Sequence, residues 1–201
     1  MAEDSTQPPH ATRFIETTRG VLSYSQLAPL LAERVLKVQQ DIEEELFASR
    51  PLDESLLLDF HRSICGDLTP NWAGRFRDAE VRVGEHNPPP PYRVPQLMRD
   101  YFADVNARQA ALRDSTDPLL LELLAFAEGR LLSIHPFPDF NGRVARLFLA
   151  ELLRRLELPD VELAPTEQPS RLRYLQALRA ADRLDWQPLI QVWKERLASS
   201  H

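Results

Sequence analysis

Twelve consecutive residues carry the chemistry this chain concentrates in one place: His135-Pro136-Phe137-Pro138-Asp139-Phe140-Asn141-Gly142-Arg143-Val144-Ala145-Arg146. His135 has the one side chain whose ordinary pKa lets it accept a proton near neutrality. Asp139 offers a hard oxygen suited to a magnesium ion shared with phosphates. Arg143 and Arg146 stand three apart at the start of a helical segment, so both can face one anion. A helix N-terminus adds unpaired backbone N–H groups and the positive end of the helix dipole. Each residue alone has a plain structural explanation, as a hydrogen-bonded histidine, a turn aspartate or a solvated arginine. In this order they describe a phosphoryl- or nucleotidyl-transfer site. A base would deprotonate the attacking group, while a metal, the arginines and loop amides would hold the phosphate charge.

Helices must position these residues. Apolar residues recur at helical spacing from Tyr24 to Phe47, and Pro51 stops that run. A second helix starts near Asp53 and ends at Gly66, and Pro95 opens a third. Further helical segments cover 117–133, about 142–157, 170–183 and 187–198, which places the twelve residues between two apolar helices. The only strand signal is Val81-Arg82-Val83, bounded by turn formers, and it predicts a small hairpin. The proline run Pro88 to Pro91 reads as an extended connector. The expected fold is all-α, a single domain with one small β-hairpin flap.

The dodecapeptide resembles the signature of the Fic family, HPF-x-[D/E]-G-N-G-R-x-x-R, with Phe140 standing where glycine is usual. A positive φ would be strained at a phenylalanine there. Ala73-Gly74-Arg75-Phe76-Arg77 is similar to the family's AG-x-x-R segment, followed by its flap at Val81, Arg82 and Val83. Pro88 to Pro91 with Val94-Pro95-Gln96-Leu97-Met98 resembles its PP…P-x-L-M passage. Tyr174 to Leu178 and Asp185 to Ile190 are similar to its closing helices.

The resemblance implies a protein AMP transferase that uses ATP and Mg2+ and releases pyrophosphate. His135 would be the general base toward a Ser, Thr or Tyr hydroxyl of a protein target, and Asp139 would hold the metal. Phe140 would offer its amide to phosphate, Asn141, Gly142 and Arg143 would bind phosphate, and Arg146 would engage the γ-phosphate. Val81 to Val83 would pair with the target's backbone as an added strand. Thr12 to Thr17 resembles the family's inhibitory helix, [S/T]-x-x-x-E-[G/N], in its first five positions. Glu16 would then compete with the γ-phosphate for Arg146. On this reading residues 1–11 are a disordered tail, 12–50 an N-terminal helical region with the inhibitory segment, and 51–201 the catalytic core. Transfer of UMP, phosphate or phosphocholine, removal of AMP, and a non-catalytic nucleotide-binding module stay open beside AMP transfer. So do auto-modification and a homodimer.

Composition narrows the partners. The net charge of -6 argues against a general pull toward nucleic acid or anionic membranes. Hydrophobic residues make up 43% of 201, enough for one domain with a core. The single cysteine, Cys65, cannot form an internal disulfide and reads as a small buried hydrophobe. The N-terminus lacks an apolar signal-peptide core, and the most apolar stretch is interrupted by Glu122, Glu128 and Arg130. The expectation is a cytoplasmic protein without a membrane span.

Overall fold

The structure, a computed structural model, describes residues 14–114 and 118–199. Residues 1–11 of the expected tail, and Thr12 and Arg13 of the expected inhibitory segment, lie outside them. Among the described residues the chain runs β1 (Phe14–Thr17), β2 (Gly20–Ser23), α1 (Tyr24–Glu43), α2 (Glu54–Cys65) and α3 (Val94–Ala111). It continues as α4 (Leu119–Ile134), α5 (Asn141–Arg155), α6 (Ser170–Ala181) and α7 (Gln187–Ala198). The all-α class with one small hairpin holds.

The hairpin is in a different place from the one expected. β1 and β2 pair antiparallel, with Ile15 opposite Leu22 and Glu16 opposite Val21. Phe14, Ile15, Thr17 and Val21 favour a pleated strand, and Gly20 supplies the positive φ of 94° that the turn requires. The Thr18 N–H donates to the Leu68 carbonyl at 2.8 Å, which ties the turn to the chain after α2. At the expected flap, one bridge joins Val83 to His86 across a two-residue turn.

Local signals explain the helix ends. Ser23 caps α1 in a capping box with Gln26, and Asp53 caps α2 by accepting from the Leu56 N–H at 3.2 Å. α1 ends at Glu43, short of the expected Phe47, because Glu45 enters the left-handed region at φ 60°. α4 is the central rod, buried on nearly every side and enclosed by α3, α5, α6 and α7. Inside this bundle Arg196 pairs with Glu128 at 2.6 Å, and the Tyr174 hydroxyl donates to Glu128 at 2.7 Å.

Gly129 lets α4 approach its neighbours. A Cβ there would lie 2.8 Å from Ala181 Cβ and 2.9 Å from Trp186 Cζ3. Gly129→Ala gains up to about 1 kcal/mol of helix propensity, but overpacking costs about 1–3 kcal/mol. A net loss of about 1 kcal/mol or more is expected in urea unfolding, and a stabilised variant would refute the close approach.

Candidate active site

α4 ends at His135, which adopts a left-handed conformation at φ 51° and ψ 62°. The loop then runs through buried Pro136, Phe137 and Asp139 to Phe140, again left-handed at φ 61°. α5 begins at Asn141. Two left-handed residues thus bracket the turn between the helices.

Three devices hold this turn. Arg77, only 3% exposed, donates from Nε to the His135 carbonyl at 2.7 Å and from Nη2 to the Ile134 carbonyl at 3.3 Å. It also reaches the carbonyls of Ala79 and Pro89, and its own N–H donates to Pro136 at 2.9 Å. The Asn141 side chain closes the loop from inside, accepting from the Phe137 N–H and donating to the Phe137 carbonyl, both at 2.9 Å. His61 lies beneath, stacked on Phe137 with ring centroids 4.0 Å apart.

Two of the expected phosphate contacts make hydrogen bonds within the loop in this structure. The Asn141 side-chain amide is engaged with both backbone groups of Phe137, which leaves its backbone N–H as its phosphate-binding group. The Phe140 N–H donates to Asp139 Oδ1 at 2.8 Å. Its ring is buried among Tyr24, Trp72 and His61, with centroids at 6.2, 5.7 and 6.5 Å. That burial outweighs the backbone strain. A non-glycine residue in the left-handed region costs roughly 1–2 kcal/mol, whereas removing a buried phenylalanine ring costs about 3–5 kcal/mol. Phe140→Gly is expected to destabilise by about 2 kcal/mol in urea unfolding; stabilisation would show that strain dominates.

The first hydrogen bond within α5 runs from the Val144 N–H to the Phe140 carbonyl at 3.1 Å. The N–H groups of Asn141, Gly142 and Arg143 therefore precede the helical ladder, as an anion site requires. Arg146 folds back over this end: a Cβ on Gly142 would lie 3.6 Å from its Nη1. The Arg143 guanidinium sits 5.9 Å from the Phe140 ring centroid. His135, Asp139, Gly142, Arg143 and Arg146 are thus gathered around one turn. The flap is tied to the same turn through Arg77 and through His86, whose Nε2 donates to the Ser133 carbonyl at 2.9 Å. Arg82 in the flap is exposed, with Val81 and Val83 partly so.

Glu16 does not lie on an inhibitory helix. Residues 14–17 are a strand, and Glu16 is exposed opposite Val21. β-Branched and aromatic residues beside a glycine turn outweigh a motif that matched at five loose positions.

The positioning roles of His61 and Arg77 were not legible as such. The Gly74 N–H donates to His61 Nδ1 at 2.9 Å, and the ring's other edge hydrogen-bonds the Asp139 backbone. Burial pushes the imidazole down to about 3, with the Asp139 contact opposing and the Arg62 charge assisting. Protonation would break the bond from Gly74. Between pH 6.5 and about 3 the unfolded chain therefore holds a proton that the folded chain does not. Stability should fall with falling pH across that window by about 1.4 kcal/mol per unit from this group, and should be unaffected by it above the window. Urea unfolding at pH 6.5, 6 and 5 should show that slope flattened in His61→Gln, and equal slopes would refute the assignment. Cys65 beside it is fully buried, and burial pushes its thiol up to about 12, as an inert core residue.

The described residues hold no group of three or more His, Cys, Asp or Glu side chains fit to cage a metal. A single buried carboxylate at Asp139 instead suits a magnesium ion that takes its other ligands from phosphates and water. No helix among them is long and apolar enough to cross a membrane.

Comparison with known proteins agrees with this geometry. The chain is 33% identical over 135 residues to the protein adenylyltransferase Fic of Aedes aegypti, covering 67% of this chain and 26% of the relative. It thus spans about a quarter of the length of the curated relatives it matches. A structure of Fic-1 from C. elegans matches at 27% identity with a TM-score of 0.66, over 85% of this chain and 48% of that one. The N-terminal FIC domain of Bep8 from Bartonella sp. 1-1C shares the fold at a TM-score of 0.76 and 15% identity, over 96% and 94% of the two chains. The family model of the Fic/DOC family covers residues 51–153, from just before α2 into α5 and so across the whole turn, and this chain belongs to that family.

Proposed function

We propose that this chain transfers AMP from ATP to a hydroxyl side chain of a protein. The observation that carries the reading is the turn itself: a histidine, a carboxylate and two arginines gathered at the N-terminus of α5, on a backbone immobilised by Arg77 and Asn141. The curated relatives named protein adenylyltransferase Fic supply the reaction class.

In this mechanism His135 takes the proton of the target hydroxyl as its oxygen bonds to the α-phosphorus of ATP. The bond from that phosphorus to the α,β-bridging oxygen breaks, and pyrophosphate leaves. The N–H groups of Asn141, Gly142 and Arg143, with the guanidinium groups of Arg143 and Arg146, hold the phosphate charge. Asp139 would hold the magnesium ion, which supplies further charge neutralisation to the phosphates. Val81 to Val83 offer a short backbone segment against which an extended target can lie. The inhibitory role of Glu16 gains no support from its exposed place on β1.

Intact-mass spectrometry after incubation with ATP and magnesium, alone and with a lysate of candidate targets, tests the reading. An AMP increment on the chain or on a target supports it. A phosphate increment, or a UMP increment from UTP, would move the group transferred. Absence of ATP binding by calorimetry would replace catalysis with a non-catalytic interaction module.

A further inference from the structure

We infer that His86 is a positioning residue for transfer to protein: it holds the tip of the flap at a set distance from the helix end that carries His135. The inference rests on the proposed function, in which an extended target lies along Val81 to Val83. The tip is a closed two-residue turn. The Val83 N–H donates to the His86 carbonyl at 3.0 Å, and the His86 N–H donates to the Val83 carbonyl at 2.9 Å. Gly84 takes the positive φ of 59° inside this turn, and Arg82 braces it by donating from Nε to the Gly84 carbonyl at 2.9 Å. Arg82, Gly84 and Glu85 are exposed, so the tip has little packing of its own. A lone hairpin of this size is marginal in water, and its place depends on an anchor.

His86 supplies that anchor. Its imidazole is 18% exposed, and Nε2 donates at 2.9 Å to the carbonyl of Ser133, two residues before His135. Asp182, at the end of α6, brings Oδ1 to 3.6 Å from the same nitrogen. A carbonyl and a carboxylate both accept, so the two together keep a proton on Nε2. One side chain thereby joins the flap to α4 and α6. Arg77 holds the base of the flap through the Ala79 and Pro89 carbonyls, and His86 holds its tip. A strand added to a flap fixed at both places presents its hydroxyl to His135 in one alignment. Misplacement by about 1 Å in such an alignment costs about a hundredfold in rate.

His86→Leu removes the donor, whereas His86→Gln sets an amide N–H near the place of Nε2. The first readout needs no target and is the hydrogen exchange of the Val83 amide. In His86→Leu it should quicken by about tenfold, the fold-change for loss of one good hydrogen bond, with exchange in α4 and α5 unchanged. The second is label transferred from α-labelled ATP to the chain itself and to a lysate, beside calorimetric binding of α,β-methylene ATP. Transfer should fall by about tenfold or more in His86→Leu while affinity for the analogue stays at the wild-type value. His86→Gln should recover most of both losses. Val83 exchange at the wild-type rate in His86→Leu would overturn the inference, as would faster exchange with transfer intact. Equal quickening in α4 and α5, or no recovery in His86→Gln, would make His86 a packing residue and overturn it as well. A wild type that labels nothing would sink the proposed function and this inference with it, whereas each of the other results leaves the proposed function standing.

Discussion

Arg77→Met is expected to lower the unfolding free energy by about 4 kcal/mol. The guanidinium is buried and serves four carbonyls at once, those of Ile134, His135, Ala79 and Pro89. A hydrogen bond from a charged donor contributes about 1.5–3 kcal/mol, and each buried carbonyl left without a partner costs about 1–3 kcal/mol. Water can enter to satisfy some of them, so the effects do not sum. Two of the carbonyls belong to the last turn of α4, where a cation also meets the negative end of the helix dipole. The other two bracket the flap at its base, so one side chain sets flap and His135 against each other. Urea denaturation measures the loss, and Arg77→Lys, with one point charge in place of a planar fork, should recover only part of it. A loss under about 1 kcal/mol in Arg77→Met would mean that the turn holds without its staple.

His135→Asn should reduce transfer by about 10²–10⁴-fold, the range for removal of a general base, while stability changes little. Asparagine suits this position because it tolerates the left-handed backbone at φ 51°, which alanine does not share. The variant thus separates chemistry from folding. ATP affinity should persist, since the phosphate donors lie on α5 and the arginines, beyond the altered side chain. The readout is the initial rate of label incorporation from α-labelled ATP, with binding measured alongside. A rate within tenfold of wild type would remove His135 from the role of base.

The helices were legible because helical spacing is written in neighbouring residues, and the segments read from Asp53 onward match α2 to α7 within a few residues. The candidate site was legible for a related reason. Its histidine, carboxylate and arginines are contiguous, so the α4–α5 turn alone suffices to gather them. Glu16 shows the limit of that kind of reading. Its neighbours fit a helical motif by type, yet a glycine turn and a pairing strand made the segment a hairpin, and pairing is not a property of one short segment.

The parts that hold the turn come from far away in the chain. Arg77 reaches His135 across 58 residues and Tyr24 reaches Asp139 across 115. His61 slides beneath Phe137 from a different helix, and Phe140 keeps its left-handed backbone because an aromatic pocket buries its ring. One sequence lists such residues without saying which carbonyl or carboxylate each will meet. Composition, helical spacing and the twelve-residue segment carried the class of fold and the class of chemistry. Which side chains hold the turn, and which donors meet the Asp139 carboxylate, followed only from packing, because hydrogen bonds between distant segments form where folding brings donor and acceptor within about 3 Å.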